Sequence, residues 1–181
     1  MQRRKTFKNF MMIIALLTVS SFSYAQKGFN TISAQVDLGL PIGDFGQAYN
    51  VGFGASGKVF YGITEAGSAT GSLGFMRYGI KEDSKYMSGS MTMVPIQVGY
   101  RHLFGSLYGE PQLGLMVLRS NVKFDDMGIG LSGYSGSSST TKVTLGLGGG
   151  YMMNSWDLGA RFQIVDNLNF FGVSVGYHFS L

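Results

Sequence analysis

The sequence predicts an all-β protein, an eight-stranded antiparallel up-and-down transmembrane β-barrel, and three observations carry that prediction. Large apolar residues alternate with small or polar ones in successive runs of about ten residues, the period of a strand with one greasy face. Charges within those runs fall on the small, polar phase. The Tyr and Trp residues of the greasy phase gather toward one end of the runs, whichever way the chain is travelling. No later stretch is apolar over the roughly 17–25 residues that a spanning helix needs, so a membrane-spanning form of this chain is a barrel.

Composition removes several function classes. There is no cysteine, hence no disulfide framework and no thiolate chemistry, and two histidines leave little for a His-based metal cluster. The net charge of +4 comes from Arg3, Arg4, Lys5 and Lys8. Beyond them basic and acidic residues balance, which leaves no electrostatic footprint for nucleic acid. Glycine is abundant without a G-X-Y period, so a collagen-like chain is excluded.

Residues 1–25 read as a cleaved signal peptide: basic residues, the apolar run Phe10–Val19, then small residues around Ser23 and Ala25. Residues 26–181 form the barrel domain. The first strand, Thr31–Leu40, sets Ile32, Ala34, Val36, Leu38 and Leu40 against Ser33, Gln35, Asp37 and Gly39. A connection, Pro41–Asn50, leads to Val51–Tyr61, where Phe53, Val59 and Tyr61 oppose Gly52, Gly54, Lys58 and Phe60. Ser68–Tyr78 follows after a short turn, with Leu73 and Phe75 opposite Thr70, Ser72 and Gly74. The segment Gly79–Ser90 is charged and leads to Met91–Phe104, with Val94, Ile96, Val98 and Tyr100 on one face and Gln97, Gly99 and Arg101 on the other. A Gly105-Ser106 turn gives Leu107–Arg119, and the longest expected loop, Ser120–Ser139, precedes Thr140–Met152. Asn154-Ser155 turns the chain into Trp156–Ile164, and Asp166-Asn167 returns it to Phe170–Leu181.

Long connections after strands one, three and five alternate with short ones after two, four and six, the habit of barrels with short periplasmic turns and long extracellular loops. On that topology Tyr61, Tyr100, Phe104, Tyr151, Trp156, Tyr177 and Phe179 share one height on the lipid face, as an interfacial aromatic girdle. Asp37, Lys58, Arg101, Glu110, Lys142, Asp157, Arg161 and His178 point into the lumen, which is expected to be packed with glycine and paired charge. Arg101 and Glu110 flank the same short turn and are expected to pair there. Arg77 alone is out of phase, at the external end of its strand, where anionic lipopolysaccharide is at hand.

The closing strand carries Ser174, Gly176, Phe179 and Leu181, a spacing that resembles the C-terminal assembly signal of Gram-negative outer-membrane barrels. Together with Leu40-Pro41-Ile42-Gly43-Asp44-Phe45 and the tract Val94–Phe104, it resembles the small OmpA/OmpX-like outer-membrane β-barrel family. The resemblance implies the bacterial outer membrane as location, the barrel-assembly machinery as partner during insertion, outer-membrane lipids and lipopolysaccharide as surroundings, and a monomer. The last residue is Leu181 where the signal usually has Phe, and no peptidoglycan-binding extension follows the barrel.

Other motifs have plainer readings. Gly52–Gly57 matches G-x-G-x-x-G, yet the alternation runs on as strand, whereas a dinucleotide site needs a helix to open there. Pro111 removes a ladder donor inside strand five and suggests a bulge. Asp125-Asp126 in the longest loop reads as solvated charge rather than a Ca²⁺ site. His178 and Ser180 echo the His-x-Ser spacing of lipid A deacylases, but both face inward, and Asp37 on strand one is the acid placed to approach. The expected function is non-enzymatic and without cofactor. Envelope structure or surface contacts would be made through the long loops, with no constitutive aqueous pore. The alternatives are a lipid-modifying enzyme using His178 and Ser180, and a periplasmic lipocalin-like carrier.

Overall fold

The computed structural model describes residues 28–81, 87–124 and 135–181, without the side chains of residues 87, 88, 122–124 and 135. The expected leader and Asp125-Asp126 lie outside the described residues. The strands are β1 Phe29–Pro41, β2 Gly52–Gly62, β3 Gly67–Gly79, β4 Met87–Phe104, β5 Leu107–Phe124, β6 Ser135–Met153, β7 Trp156–Val165 and β8 Phe170–Ser180. Each pairs antiparallel with the next, and β8 returns to β1 from Thr31 opposite Ser180 to Pro41 opposite Phe170. The barrel is closed, so no edge strand is left with unpaired donors and acceptors.

The two-residue turns sit where the chain can reverse cheaply. Gly105 and Asn154 open them with positive φ, 67° and 55°, values that Gly takes freely and Asn tolerates. These turns and the turn 63–66 mark the short-turn end, and the connection 42–51 marks the long-connection end.

One expectation about a loop is corrected. The segment Ser120–Ser139 is not simply a loop, because β5 and β6 stay paired as far as Lys123 opposite Ser135. Strands β4, β5 and β6 run for 18, 18 and 19 residues, against 10 to 13 for the others. The run Ser135-Gly136-Ser137-Ser138-Ser139 hid the pairing, since a segment of small polar residues shows no apolar period. The connection after β1 holds one helical turn, α1 (Asp44–Ala48), which buries Phe45. Lys81 fastens it, donating through Nζ to the Gly46 carbonyl at 2.6 Å and through its amide to the Ala48 carbonyl at 2.9 Å.

Pro111 makes no bulge. The ladder between β4 and β5 pairs Gly99 with Gln112 and His102 with Gly109, the same register on both sides of a gap at the proline. On the other flank Pro111 pairs normally with Leu147. The missing donor thus faces β4 and costs two ladder positions without shifting the register.

Burial is inverted relative to a water-soluble domain. Val36, Phe53, Val98, Val143 and Leu147 face outward, each more than 60% exposed, while Asp37, Lys58, Arg101, Glu110 and Asp157 are buried inside. Among the strand residues whose side chains are described, Arg77 and Arg119 are the only formal charges on the outer face.

Candidate functional site

The candidate site is the lumen, and it is built in layers. Inward positions near the long-connection end are apolar: Met76 and Tyr78 from β3, Met93 from β4, Met116 and Leu118 from β5, Val165 and Phe170. Phe45 of α1 closes this layer from above, its ring 4.9 Å from that of Tyr78. Tyr78 fits because Gly39 and Gly52 stand beside it; a Cβ at either would overlap the tyrosine ring. The lumen is therefore not lined throughout by glycine and paired charge, and this apolar cap corrects that expectation.

Below the cap the inward positions are mostly polar, with the rings of Phe60 and Tyr108 among them. Thr144 and Gln163 bond to each other, and Asp37 accepts from Ser56 Oγ at 2.6 Å and lies 3.0 Å from Arg161 Nη2. The next layer centres on two carboxylates. Glu110 Oε1 accepts from Lys58 Nζ at 2.8 Å, Gln112 Nε2 at 2.7 Å and Thr70 Oγ1 at 3.0 Å. Its Oε2 accepts from Arg101 Nε at 2.7 Å. Arg101 then reaches onward through Nη1 to Asp157 Oδ2 at 2.7 Å, and Asp157 also accepts from the Tyr108 hydroxyl at 2.6 Å. The Arg101 guanidinium lies 3.6 Å from the centre of the Tyr108 ring and 4.9 Å from that of Phe60. Lys58, Arg101, Glu110 and Asp157 are all at most 5% exposed. Such a group is tolerable in a low-dielectric interior only because each charge is paired and hydrogen-bonded.

The short-turn end is open. A vestibule of about 440 Å³ lies between Phe60, Arg101, Met152, His178 and the turn residues Thr64 and Glu65. The space left in the charged layer is about 20 Å³, bounded by Lys58, Tyr108, Glu110, Gln112 and Arg161. That is room for about one water. The lumen is a blind recess, open at one end and filled at the other.

The structure brings Arg101 and Glu110 together, within a network that also takes in Lys58, Asp157 and His178. Lys142 stands apart at the rim of the long-connection end, 28% exposed and 2.8 Å from Asp166 of the β7–β8 connection. The acid beside His178 is Asp157, at 3.1 Å, and not Asp37. The registers explain this: Asp37 lies opposite Ser174, while Asp157 lies opposite Gly176 and reaches His178 diagonally. Ser33, opposite His178, makes no hydrogen bond through its buried hydroxyl. Among the described residues none joins His178 to Ser180, which is exposed at the end of β8.

Tyr61, Tyr100, Phe104, Tyr151, Trp156, Tyr177 and Phe179 all lie outward and exposed near the short-turn end. Trp156 meets Tyr177 edge-on at 5.3 Å, and Tyr177 meets Phe179 at 5.0 Å. In β8, Ser174 and Gly176 face inward, Phe179 faces outward, and Leu181 donates its amide to the Asn30 carbonyl. The G-x-G-x-x-G stretch lies wholly within β2.

No protein-family model and no curated protein matches the chain. Solved structures do. The attachment invasion locus protein Ail of Yersinia pestis aligns with a TM-score of 0.61 at 18% identity, over 84% of this chain and 99% of that one. The N-terminal β-barrel domain of Pseudomonas aeruginosa OprF gives 0.50 at 15% identity, over 84% and 100%. Neisserial surface protein A gives 0.50 at 17%, over 84% and 97%. The likeness is one of fold: this chain has the eight-stranded barrel fold of small OmpA/OmpX-type outer-membrane proteins.

Proposed function

We propose that this chain is a non-enzymatic integral protein of the bacterial outer membrane that presents its long-connection end at the cell surface, for envelope structure or surface contacts. The observation that carries the proposal is the inversion of burial: an uninterrupted apolar belt outside a charged, mutually paired interior. Water would not select that belt, and hydrocarbon would. The aromatic rows fit the same reading, with Tyr and Trp at the short-turn end set at the periplasmic interface.

The capped lumen supports a role without steady conduction. Binding chemistry belongs on the surface end, where α1 and the extended β4–β6 strands stand on a rigid wall. Ail has been solved with the heparin analogue sucrose octasulfate, and a sulfated or phosphorylated surface polymer is the class of ligand to try first.

The test is fractionation of the expressed full chain with the outer membrane, together with gel mobility before and after boiling. A heat-modifiable, membrane-borne band is expected. A soluble periplasmic product of unchanging mobility would return the chain to the carrier reading. Lipid A isolated from cells expressing the protein or Ser180→Ala should be identical; a difference would establish the enzyme.

A further inference from the structure

We propose that the outer wall of β2–β5 holds one phosphorylated glycolipid of the outer leaflet, with its phosphates on Arg77 and Arg119 and an acyl chain in the groove below them. The proposal rests on the outer-membrane reading and adds a defined partner and place to it.

The registers put the two arginines in one row. Arg77 lies opposite Thr92, and Thr92 lies opposite Arg119. All three face outward, so the guanidinium stems are two strands apart, about 9–10 Å at ordinary strand spacing. Arg77 Nη2 donates to Ser90 Oγ at 3.2 Å, and neither arginine has a carboxylate partner among the described residues. The row sits one pleat beyond Phe75, Val94 and Val117, the last large apolar residues of these strands. That is the boundary between hydrocarbon and headgroups, where a guanidinium is cheap to place and phosphate oxygens match its fork of donors.

One pleat below Arg77, beginning at Phe75 and Val94, the outer wall is shallowly hollowed. Two adjoining grooves of about 480 and 720 Å³ share Gly57 and Leu73. Their floor is Ala34, Ala55, Gly57 and Gly71, and Phe75 and Ile96 form flanks. The groove is almost wholly apolar and leads from the arginine row toward the middle of the belt, the path of an acyl chain hung from a phosphate held at Arg77. A second copy of the chain fits less well. A two-fold axis along the membrane normal would bring equal heights together. It would set arginines near arginines on a wall that offers no described carboxylate to meet them.

The proposal is tested by native mass spectrometry of the full barrel released from detergent, with bis-phosphorylated lipid A, phosphatidylglycerol and phosphatidylcholine as separate probes. Lipid A should be retained in preference to both phospholipids. Arg77→Gln and Arg119→Gln should each lower its retention roughly fivefold. Gly57→Leu should lower retention of the acylated probe with both arginines intact; a Cβ there has only the Ser33 carbonyl near it, at 3.9 Å, so the side chain enters the groove without moving backbone. Heat-modifiable mobility checks that each variant is folded. Equal retention by the arginine variants, or equal retention of phosphatidylglycerol, overturns the site. A dimer dispersed by Gly57→Leu overturns it in favour of a second copy. Failure of the unaltered chain to insert at all defeats instead the outer-membrane reading beneath.

Discussion

The two halves of the lumen fill the same tube from the same eight strands by opposite means. Near the long-connection end, Met76, Tyr78, Met93, Met116, Leu118 and Phe170 pack as an ordinary hydrophobic core. Near the short-turn end, Lys58, Arg101, Glu110 and Asp157 fill the space with charge. The apolar cap is a sum of many weak contacts, so its losses should be graded. The charged layer is a chain of obligations in which Arg101 serves two carboxylates and Glu110 serves two cations. Its losses should be steep and partly recoverable. The cap resists change by bulk, and the charged layer by balance.

The comparison breaks most visibly at Glu110. Replacing it with Gln leaves Lys58 and Arg101 short of their shared acid, and breaking a buried pair in this way costs about 3–5 kcal/mol. Urea unfolding in detergent should show that loss. The double variant Lys58→Met, Glu110→Gln should be more stable than Glu110→Gln alone, since charge balance is restored; a strictly additive double variant would deny the network. In the cap, Gly52→Ala presses on the Tyr78 ring and should cost about 1–3 kcal/mol. Tyr78→Leu in the same chain should recover part of that loss. Phe45→Ala should cost about 1–3 kcal/mol by the same assay, because α1 can detach as a local unit. It should leave planar bilayers without steady conductance, as the charged layer still fills the tube. The smallest effect is expected at the exposed Lys142–Asp166 pair, where Lys142→Ala should change stability by less than about 1 kcal/mol.

Much of the barrel was legible because lipid and lumen impose a period of two on every strand. The greasy phase, the tight turns at Gly105 and Asn154, and the inward phase of Arg101 and Glu110 all follow from parity. The cap was equally available by that rule: Thr70, Ser72, Gly74, Met76 and Tyr78 share a phase in β3. Sorting residues by polarity rather than by parity hid the change of lining from polar to apolar. The partner of His178 was out of reach for a different reason. Choosing Asp157 over Asp37 needs the registers of β8 against both neighbours, and no local pattern of residues sets them. Tyr108 was missed because an aromatic next to a turn resembles a girdle residue, although its parity with Glu110 points it inward. The pairing of 120–123 with 135–138 was hidden because Ser-Gly-Ser-Ser on the β6 side carries no alternation of large and small residues.

The open vestibule and closed cap also give the interior a compartment of its own. A solute able to touch His178 or the edge of Arg101 arrives through the short-turn mouth, past Phe60 and Thr64, while Phe45 and the ring of Tyr78 stand across the opposite route. On the proposed orientation, the chemistry of the lumen equilibrates with the periplasm and is insulated from the medium outside the cell. A labelling reagent that cannot cross the outer membrane should therefore leave the vestibule unmarked on intact cells and mark it once the membrane is breached.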